Sequence, residues 1–572
     1  MEAFRRIVII TFLGVAVGGV VAVLAVGFVE AILRLNDLLY ISPASRGRVT
    51  DTGWLAIVTV AVPTVAGLIV GLITLAIPEK RPHAPPDAIS EAQSAAPAMP
   101  VRGGILTAIA AILSLGAGAS VGQYGPLAHM GSSVGSWISR LTGKDYHFRR
   151  IGIGCGAAAA IAAAFNAPIA GLLFAHEVIL RHFSLRAFAP VTVSAVLGYV
   201  VSHIVFQRPP LFEVSEILVA NPSEYLLFIG IGVAGAVVAV AYMRAVLWAG
   251  DLSQRLNWPG PLKTAFAGLA VGLVALQVPE ILGIGGEVLR TAVTEHSLAP
   301  VDLALILVAK LLLTALCLGF GFAGGVFSPA LLIGVLFGAL VGTGAEALLG
   351  GEESHIAIYA ICGLVAITGP VIGAPLTMIL IVFELTQNYE LATASMLSVA
   401  FANLIGYRIF GRSIFDVQLA RRGLDFTRGR ERVIAQQRRI RSLVSDDYTA
   451  VRGEDTLADV RNALVREKHG EAYAVDAEGR YLGTLTLYRV LELLGEGHGA
   501  DEAAAPHVEP ESPILDPNES IWNAMQRMQD FVGESIPVVE DEVLVGVVFE
   551  AGVVSAYVEA LHEVRQEEHA AA

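Results

Sequence analysis

The stretch Gly118-Ala-Ser-Val-Gly-Gln-Tyr-Gly-Pro126 recurs in outline as Gly321-Phe-Ala-Gly-Gly-Val-Phe-Ser-Pro329. Each copy is a glycine-rich turn with a proline at the start of an apolar helix pattern, which exposes the free N–H groups of a helix N-terminus. Such an end carries roughly half a positive charge and binds anions. Neither copy contains a basic residue, so an anion held by partial charges could both enter and leave. Either segment alone would also fit glycines that pack helices together, but the duplication favours two anion-binding helix ends.

The composition indicates a membrane protein. Of the 572 residues, 55% are hydrophobic and 16% are charged, which predicts a polytopic α-helical membrane protein and excludes an ordinary soluble one. Many apolar stretches are broken by Gly and Pro, so we expect re-entrant half-helices among them. The three cysteines all lie in apolar stretches without ligand spacing, and we expect them to be core residues with no metal site.

A second set of segments is also duplicated. Cys155-Gly156, Ala167-Pro168 and Glu177 recur in the same order as Cys362-Gly363, Ala374-Pro375 and Glu384. Both motifs recur after nearly the same number of residues, which predicts two homologous membrane repeats over residues 1–210 and 211–416. Parallel and inverted arrangements both fit, and inversion would bring the two glycine-rich helix starts together at the midplane. Because Glu177 and Glu384 are duplicated, we expect them to accept backbone N–H bonds at a helix start rather than to be two proton sites.

The net charge lies in the tail. From Asp416 onward there are 30 acidic and 16 basic residues, a balance of −14 that equals the net charge of the whole chain. An acidic, mixed-charge tail argues against nucleic acid as a partner. Arg5 and Arg6 precede the first apolar run, and a basic linker over 417–441 follows the last one. Both termini are therefore expected in the cytoplasm.

The tail predicts an α/β domain built from two copies of one unit. Residues 442–498 have the pattern strand, helix, strand, strand, helix, and residues 506–563 repeat it. Two such copies make one compact soluble domain of about 120 residues. The stretch Gly495–Ala505 between them predicts a flexible linker.

With these motifs the chain resembles the CLC family of chloride channels and chloride/proton exchangers. The strongest matches are Gly325-Val-Phe-Ser-Pro329, Phe165-Asn-Ala-Pro-Ile-Ala-Gly-Leu-Leu-Phe174 and Ser413-Ile-Phe-Asp416, and the tail looks like a pair of CBS motifs. The resemblance implies an inverted-repeat membrane fold, a homodimer with one anion pathway per subunit, and a cytoplasmic CBS pair. It also implies anion sites at converging helix N-termini, where we expect Gly122, Tyr124, Gly125, Val326, Phe327, Phe415 and His83 to line the pathway.

Two departures from the family pattern concern protons. Exchangers of this family carry a glutamate in the first-half motif, and that position is Tyr124 here. Their inner proton-transfer glutamate aligns with Val178. A phenol does not cycle protons near neutral pH as a carboxylate can, so the sequence predicts passive conduction. Tyr124 fits either a hydroxyl-bearing gate or a static plug, and we favour the gate.

Two further departures concern the central anion site. The family tyrosine whose hydroxyl faces the anion aligns with Phe415, which keeps the ring and loses the donor. The serine of the first family motif aligns with His83, in a proline-rich stretch, Pro78–Pro100, that predicts a loop. His83 could offer an N–H to the anion and make conduction depend on pH, or it could be an exposed loop histidine.

The CBS pair departs from the nucleotide-binding pattern Gly-x-x-Thr/Ser-x-x-Asp. The copies read Gly483-Thr-Leu-Thr-Leu-Tyr-Arg489 and Gly546-Val-Val-Phe-Glu-Ala-Gly552, and both lack the aspartate. Binding of adenine nucleotide is therefore disfavoured relative to a purely dimerising role.

The resulting hypothesis is a CLC-type anion channel or uniporter of the bacterial inner membrane, with chloride as the default anion, no cofactor and no enzymatic activity. Three rivals stay open. They are a proton-coupled exchanger that uses another protonatable group, a CBS-bearing divalent-cation transporter, and a non-conducting sensor that signals to the tail. The uncharged, duplicated helix starts argue against the cation transporter.

Overall fold

The computed structural model describes residues 2–94, 99–142, 146–211, 222–294, 298–349, 356–426, 429–467, 469–509, 513–529, 531 and 533–569. The chain divides into two compact units. The first, here called the membrane unit, extends to Gly423, and the second, the tail unit, runs from Leu424 onward.

The described part of the membrane unit is built from helices joined by turns and short irregular segments. Its helices are α1 (Glu2–Leu38), α2 (Pro43–Arg46), α3 (Thr52–Leu75), α4 (Pro85–Gln93), α5 (Val101–Gly116), α6 (Tyr124–Thr142), α7 (Tyr146–Phe165), α8 (Pro168–Phe174), α9 (Leu185–Tyr199), α10 (Glu224–Arg255), α11 (Gly260–Val274), α12 (Gly286–Thr294), α13 (Pro300–Gly319), α14 (Phe327–Leu349), α15 (Ile356–Ile372), α16 (Pro375–Thr386), α17 (Tyr389–Phe410) and α18 (Ile414–Ala420). A π-helical turn follows α8 over Ala175–Leu180, and another follows α9 over Val200–Val205.

Helix length confirms the membrane assignment. Within the described ranges, eight helical segments are long and apolar enough to cross a membrane, and five more apolar segments have only 10 to 17 residues. A full crossing needs about 20 residues. The five shorter segments therefore fit the half-spanning helices that the Gly and Pro interruptions predict.

The two membrane repeats pack in the same way. α6 packs on α7 as α14 packs on α15, and α1 packs on α9 as α10 packs on α17. Glycines permit the first of these contacts, because a Cβ on Gly131 would lie 2.3 Å from the Gly156 carbonyl oxygen. The equivalent Cβ on Gly334 would lie 2.6 Å from the Gly363 oxygen. These glycines pack helices together, whereas those of the two turns serve the site described below.

The proline-rich stretch contains a helix, which corrects the predicted loop over Pro78–Pro100. α4 begins at Pro85 and Pro86, and most of its residues are buried. Proline is tolerated in the first helical turn because the missing N–H has no intrahelical acceptor there. The prolines therefore start this helix rather than prevent it.

The tail unit has the predicted α/β order. It contains α19 (Arg430–Gln437), β1 (Thr449–Arg452), α20 (Leu457–Glu467), β2 (Glu471–Val475), β3 (Tyr481–Thr486), α21 (Leu487–Gly495), α22 (Ile521–Met528), β4 (Ser535–Glu540), β5 (Val543–Phe549) and α23 (Glu550–His569). β1 pairs parallel to β2, and β2 pairs antiparallel to β3. In the second copy β4 and β5 are antiparallel, and Leu515 makes a parallel bridge to Val538 where the first copy has β1.

The segment expected as a basic linker over 417–441 is partly folded. α18 ends at Ala420 in the membrane unit, and α19 packs against α22 and α23 in the tail unit. α19 is held there because Val433, Ile434 and Ala435 are buried. Its many charged neighbours obscure this short apolar run in the sequence.

Candidate functional site

The two glycine-rich turns contact each other directly. The Gly122 N–H donates to the Gly325 carbonyl and the Gly325 N–H donates to the Gly122 carbonyl, both at 2.8 Å, in an antiparallel bridge. A Cβ on Gly122 would lie 2.6 Å from the Gly325 oxygen, and one on Gly125 would lie 3.0 Å from the Gly325 Cα. Only glycine allows this approach, which places the start of α6 beside the start of α14. Antiparallel pairing of equivalent turns is the arrangement expected of inverted repeats.

Aromatic rings fill the space at these helix starts. Tyr124 is the first residue of α6 and is 2% exposed. Its ring stacks on Phe165, with ring centres 4.1 Å apart, and meets Phe327, the first residue of α14, edge-on at 5.3 Å. The Phe174 ring also stacks on Phe327, with ring centres 6.3 Å apart. Tyr124, Phe165, Phe174 and Phe327 are called the aromatic cluster below.

The sequence analysis did not assign Phe165 and Phe174 to the site. Both rings belong to the cluster around Tyr124 and Phe327. The sequence contained a reason to assign them to the site, since these phenylalanines are the two ends of the motif Phe165–Phe174 that resembles the family. Nothing in the motif itself shows that its ends meet the first turn.

His83 is buried rather than exposed on a loop. Its side chain is 4% exposed, and its Nε2 lies 2.8 Å from Glu79 Oε2. Its ring meets His129 of α6 edge-on, with centres 5.3 Å apart. The start of α4, two residues after His83, lies against the start of α6, because a Cβ on Gly125 would lie 3.6 Å from Pro85 Cδ. The interpretation as an exposed loop histidine is therefore wrong, and His83 neighbours the start of α6.

Phe415 lies on α18, which packs against α4. The Phe415 side chain is buried, and the Ser413 hydroxyl caps the start of its helix by accepting from the Asp416 N–H. Arg422, just after α18, donates to Asp87 of α4 at 2.9 Å. The end of α18 is thereby held near the helix that follows His83.

Val178 lies in the π-helical turn after α8 and is buried. The carboxylate beside it, Glu177, does not face an open path, because it accepts from the Leu376 N–H at 3.0 Å and the Thr377 N–H at 2.8 Å. The carboxylate that precedes the inner proton position in the sequence is thus bound to the start of α16.

A glutamate of the second repeat makes the equivalent contact with a helix start of the first repeat. Glu384 accepts from the Ile169 N–H at 2.9 Å and from the Ala170 N–H at 2.7 Å, at the start of α8. Each glutamate therefore caps the opposite repeat's half-helix, where free N–H groups and the helix dipole favour an anion. The predicted role of Glu177 and Glu384 as helix-start acceptors is confirmed.

A buried lysine that was not among the predicted site residues is connected to the first glycine-rich turn through one intervening segment. Lys310 of α13 donates from Nζ to the carbonyls of Ile281 at 3.0 Å and Gly283 at 2.6 Å. The Gly283 N–H in turn donates to the Gly118 carbonyl at 3.0 Å. The signal was a lysine in the middle of a largely apolar 20-residue helix, where an ionisable residue usually has a function.

In the tail unit the two copies meet at a buried tyrosine. The Tyr473 hydroxyl donates to Glu471 Oε2 at 3.0 Å and lies 2.9 Å from the Ser535 carbonyl oxygen. Burial raises the pKa of the Glu471 carboxyl, although the Tyr473 hydroxyl and the Glu534 and Ser535 N–H groups oppose that rise. The contact joins β2 of the first copy to β4 of the second.

The positions of the absent nucleotide aspartates are occupied by other residues. Arg489 lies in the first turn of α21 and pairs with Glu492 on the same helix. Gly552 lies in α23 and offers no side chain. An arginine and a glycine cannot accept hydrogen bonds from ribose hydroxyls as a carboxylate does.

Comparison with known proteins identifies the family of the chain. The family model described as voltage gated chloride channel matches residues 66–407, and the CBS domain model matches 440–496 and 508–559. A protein of Ralstonia nicotianae named putative chloride channel protein ClcB-like is 30% identical over 369 residues, which cover 63% of this chain and 85% of that protein. The voltage-gated ClC-type chloride channel ClcB of Escherichia coli O81 is 27% identical over 432 residues, covering 73% and 99%.

Solved structures share the fold. A slow cyanobacterial Cl−/H+ antiporter matches with a TM-score of 0.65 and 23% identity over 72% of this chain and 98% of that one. A eukaryotic CLC transporter matches with a TM-score of 0.64 and 20% identity over 96% and 98%. Fold and site together define an inverted-repeat membrane protein with a C-terminal CBS pair. The chain belongs to the CLC family of voltage gated chloride channels.

Proposed function

We propose that this protein conducts anions passively, as a CLC-type channel or uniporter with chloride as the default anion. The observation that carries the proposal is the aromatic cluster at the paired helix starts, where Tyr124 occupies the position of the exchangers' glutamate. Phenols keep their proton near neutral pH. The names of the bacterial relatives, which are chloride channels, support the choice of anion.

The inner side supports the same proposal. Proton exchange needs a second protonatable group toward the cytoplasm, and Val178 supplies none. Glu177 next to it is committed to the start of α16. In this proposal the chain therefore lacks the carboxylates that would serve both ends of the family's proton path.

Tyr124 acts as the gate in this proposal. Its ring packs against both Phe165 and Phe327 at the paired helix starts, so in this proposal an anion passes only when the ring moves. Tyr124→Ala removes the ring and should raise chloride efflux from liposomes, whereas Tyr124→Phe keeps the ring and tests the hydroxyl alone. Phe228→Ala, a buried aromatic packed on Tyr359, is the control for general loosening.

The flux of the parent protein separates the gate from a plug. A parent that conducts, with Tyr124→Ala conducting faster, supports the gate. A silent parent opened by Tyr124→Ala indicates a plug. If both Tyr124 variants conducted chloride like the parent protein, Tyr124 would not act in the pathway. The aromatic cluster would then no longer support the proposal.

A proton-coupled exchanger is the second candidate, and one observation favours it. His83 and His129 are two buried imidazoles beside the start of α6. Within the described residues, His83 Nδ1 and His129 Nε2 have no hydrogen-bond partner. An imidazole can both accept and donate a proton, so this pair could replace the missing carboxylates. Proton flux lost in His83→Ala or His129→Ala would identify it.

The proposed location and topology rest on the distribution of arginines and on the bacterial relatives. The bacterial relatives and the arginines over 417–441 support a multi-pass inner-membrane protein with both termini in the cytoplasm. We further propose a homodimer in the lipid bilayer, as the family resemblance implies. Cross-linking in membranes tests it, and a monomer band alone would contradict it.

The CBS pair serves dimerisation rather than nucleotide sensing in this proposal. Arg489 and Gly552 replace the aspartates that would hold ribose hydroxyls. The chain has no proposed enzymatic activity, cofactor or nucleic-acid partner. Calorimetry with ATP, ADP and AMP is the test, and micromolar binding of any of them would overturn this role.

A further inference from the structure

The stretch between the two CBS copies brings three metal-ligand side chains together. His498 Nδ1 lies 3.0 Å from Glu502 Oε2, and His507 Nε2 lies 3.2 Å from the same oxygen. The two imidazole rings meet edge-on with centres 4.9 Å apart. One ligand atom from each of the three residues can be chosen so that all lie within 4.8 Å of one another.

This stretch is ordered, which corrects the flexible linker predicted over Gly495–Ala505. Its backbone is bonded to the start of α20, because the Leu457 N–H donates to the Glu502 carbonyl at 2.9 Å and the Ala458 N–H donates to the Ala500 carbonyl at 3.0 Å. The Gly499 N–H donates to Glu502 Oε1 at 2.7 Å. Glu502 is therefore oriented by backbone contacts on two sides, and its other oxygen faces both histidines.

The spacing fits a small divalent cation. Zinc binds imidazole nitrogen and carboxylate oxygen at about 2.0–2.2 Å, so ligands of a tetrahedral site lie about 3.3–3.5 Å apart. The observed separations of 3.0 and 3.2 Å between Glu502 Oε2 and the two ring nitrogens are close to that edge length. Two imidazoles select borderline transition metals over Mg²⁺ and Ca²⁺, which prefer oxygen ligands.

We propose that His498, Glu502 and His507 form a binding site for a transition-metal divalent cation of the zinc class. The sequence analysis expected no metal, because it considered the cysteines and not histidines spaced across a predicted linker. His498 and Glu502 are exposed, so water can complete the coordination. Because Glu502 also accepts from the start of α20, the bound ion fixes the connection between the CBS copies.

The test uses the full-length protein in detergent, with any affinity tag removed. Zn²⁺ binding is titrated by calorimetry, and Co²⁺ is used as a visible-absorption probe of imidazole coordination. We expect one ion per chain, with the dissociation constant raised by about tenfold or more in His507→Ala and Glu502→Gln. His469→Ala is the matched control, since His469 also has an acidic neighbour, Asp447 at 3.5 Å.

Three outcomes would overturn the proposal. They are the absence of Zn²⁺ binding by the parent protein, unchanged affinity in both site variants, and an equal loss in His469→Ala. A monodisperse gel-filtration profile for each variant separates loss of ligands from loss of fold. Parent-like affinity for Zn²⁺ in His469→Ala, with weakened binding in both site variants, would support the site.

Discussion

Replacing Glu384 by glutamine tests the reciprocal caps that hold the half-helices. The carboxylate accepts the Ile169 N–H on one oxygen and the Ala170 N–H on the other. Glutamine keeps one acceptor and turns an amide N–H₂ toward the second N–H, so one charge-assisted bond is lost and the other is weakened. Hydrogen bonds to charged groups contribute about 1.5–3 kcal/mol and neutral ones about 0.5–1.5 kcal/mol, which gives a loss of about 2.5–4.5 kcal/mol.

Thermal unfolding in detergent measures this loss. Since 1 kcal/mol moves the midpoint of a 150–250-residue domain by about 2–4 °C, the shift in this larger unit should be at most about 10 °C. Glu177→Gln should cost at least as much, because Glu177 also accepts the Thr377 hydroxyl at 2.7 Å. Glu346→Gln, at an exposed carboxylate of α14, is the control. Midpoints for Glu384→Gln and Glu177→Gln equal to that of the control would refute the reciprocal capping.

Two more predictions concern the paired turns and the tail. Gly122→Ala should lower both chloride flux and the unfolding midpoint, because its Cβ would lie 2.6 Å from the Gly325 oxygen and overpacking costs about 1–3 kcal/mol. Gly230→Ala, where a Cβ meets no atom within 4 Å, should change neither the flux nor the midpoint. Equal effects of Gly122→Ala and Gly230→Ala would contradict the close contact between the turns. Glu471 has a raised pKa, so above about pH 4.5 the folded state keeps a proton that the unfolded state loses, and stability falls with rising pH. Hydrogen exchange of β2 should therefore lose protection from pH 4.5 toward neutrality relative to Glu471→Gln, and parallel profiles would exclude a raised pKa.

The duplicated architecture was predictable because both copies keep the same local chemistry. Turn glycines, helix-starting prolines and the two glutamates stand at matching positions, so a repeat and its caps follow from sequence alone. Inversion did not follow, since it depends on the antiparallel contact between Gly122 and Gly325, which lie about two hundred residues apart. The loop predicted around Pro85 was wrong because proline starts helices as readily as it breaks them.

Parts of the site depend on contacts that periodicity does not reveal. His129 and Lys310 are the only histidine and the only lysine of helices α6 and α13, and their partners come from other segments. The stretch after Gly495 is ordered by hydrogen bonds to the start of α20, about forty residues earlier in the chain. Composition shows neither kind of contact, and so the sequence indicated a linker without ligands.

The central claim is passive conduction, and simultaneous recording of chloride and protons tests it most directly. The purified protein is placed in chloride-loaded liposomes, and valinomycin is added while chloride efflux and external pH are followed together. The account predicts chloride efflux with no proton influx until an uncoupler is added. Proton influx in fixed proportion to chloride efflux would contradict it and would transfer the proton-carrying role to His83 and His129.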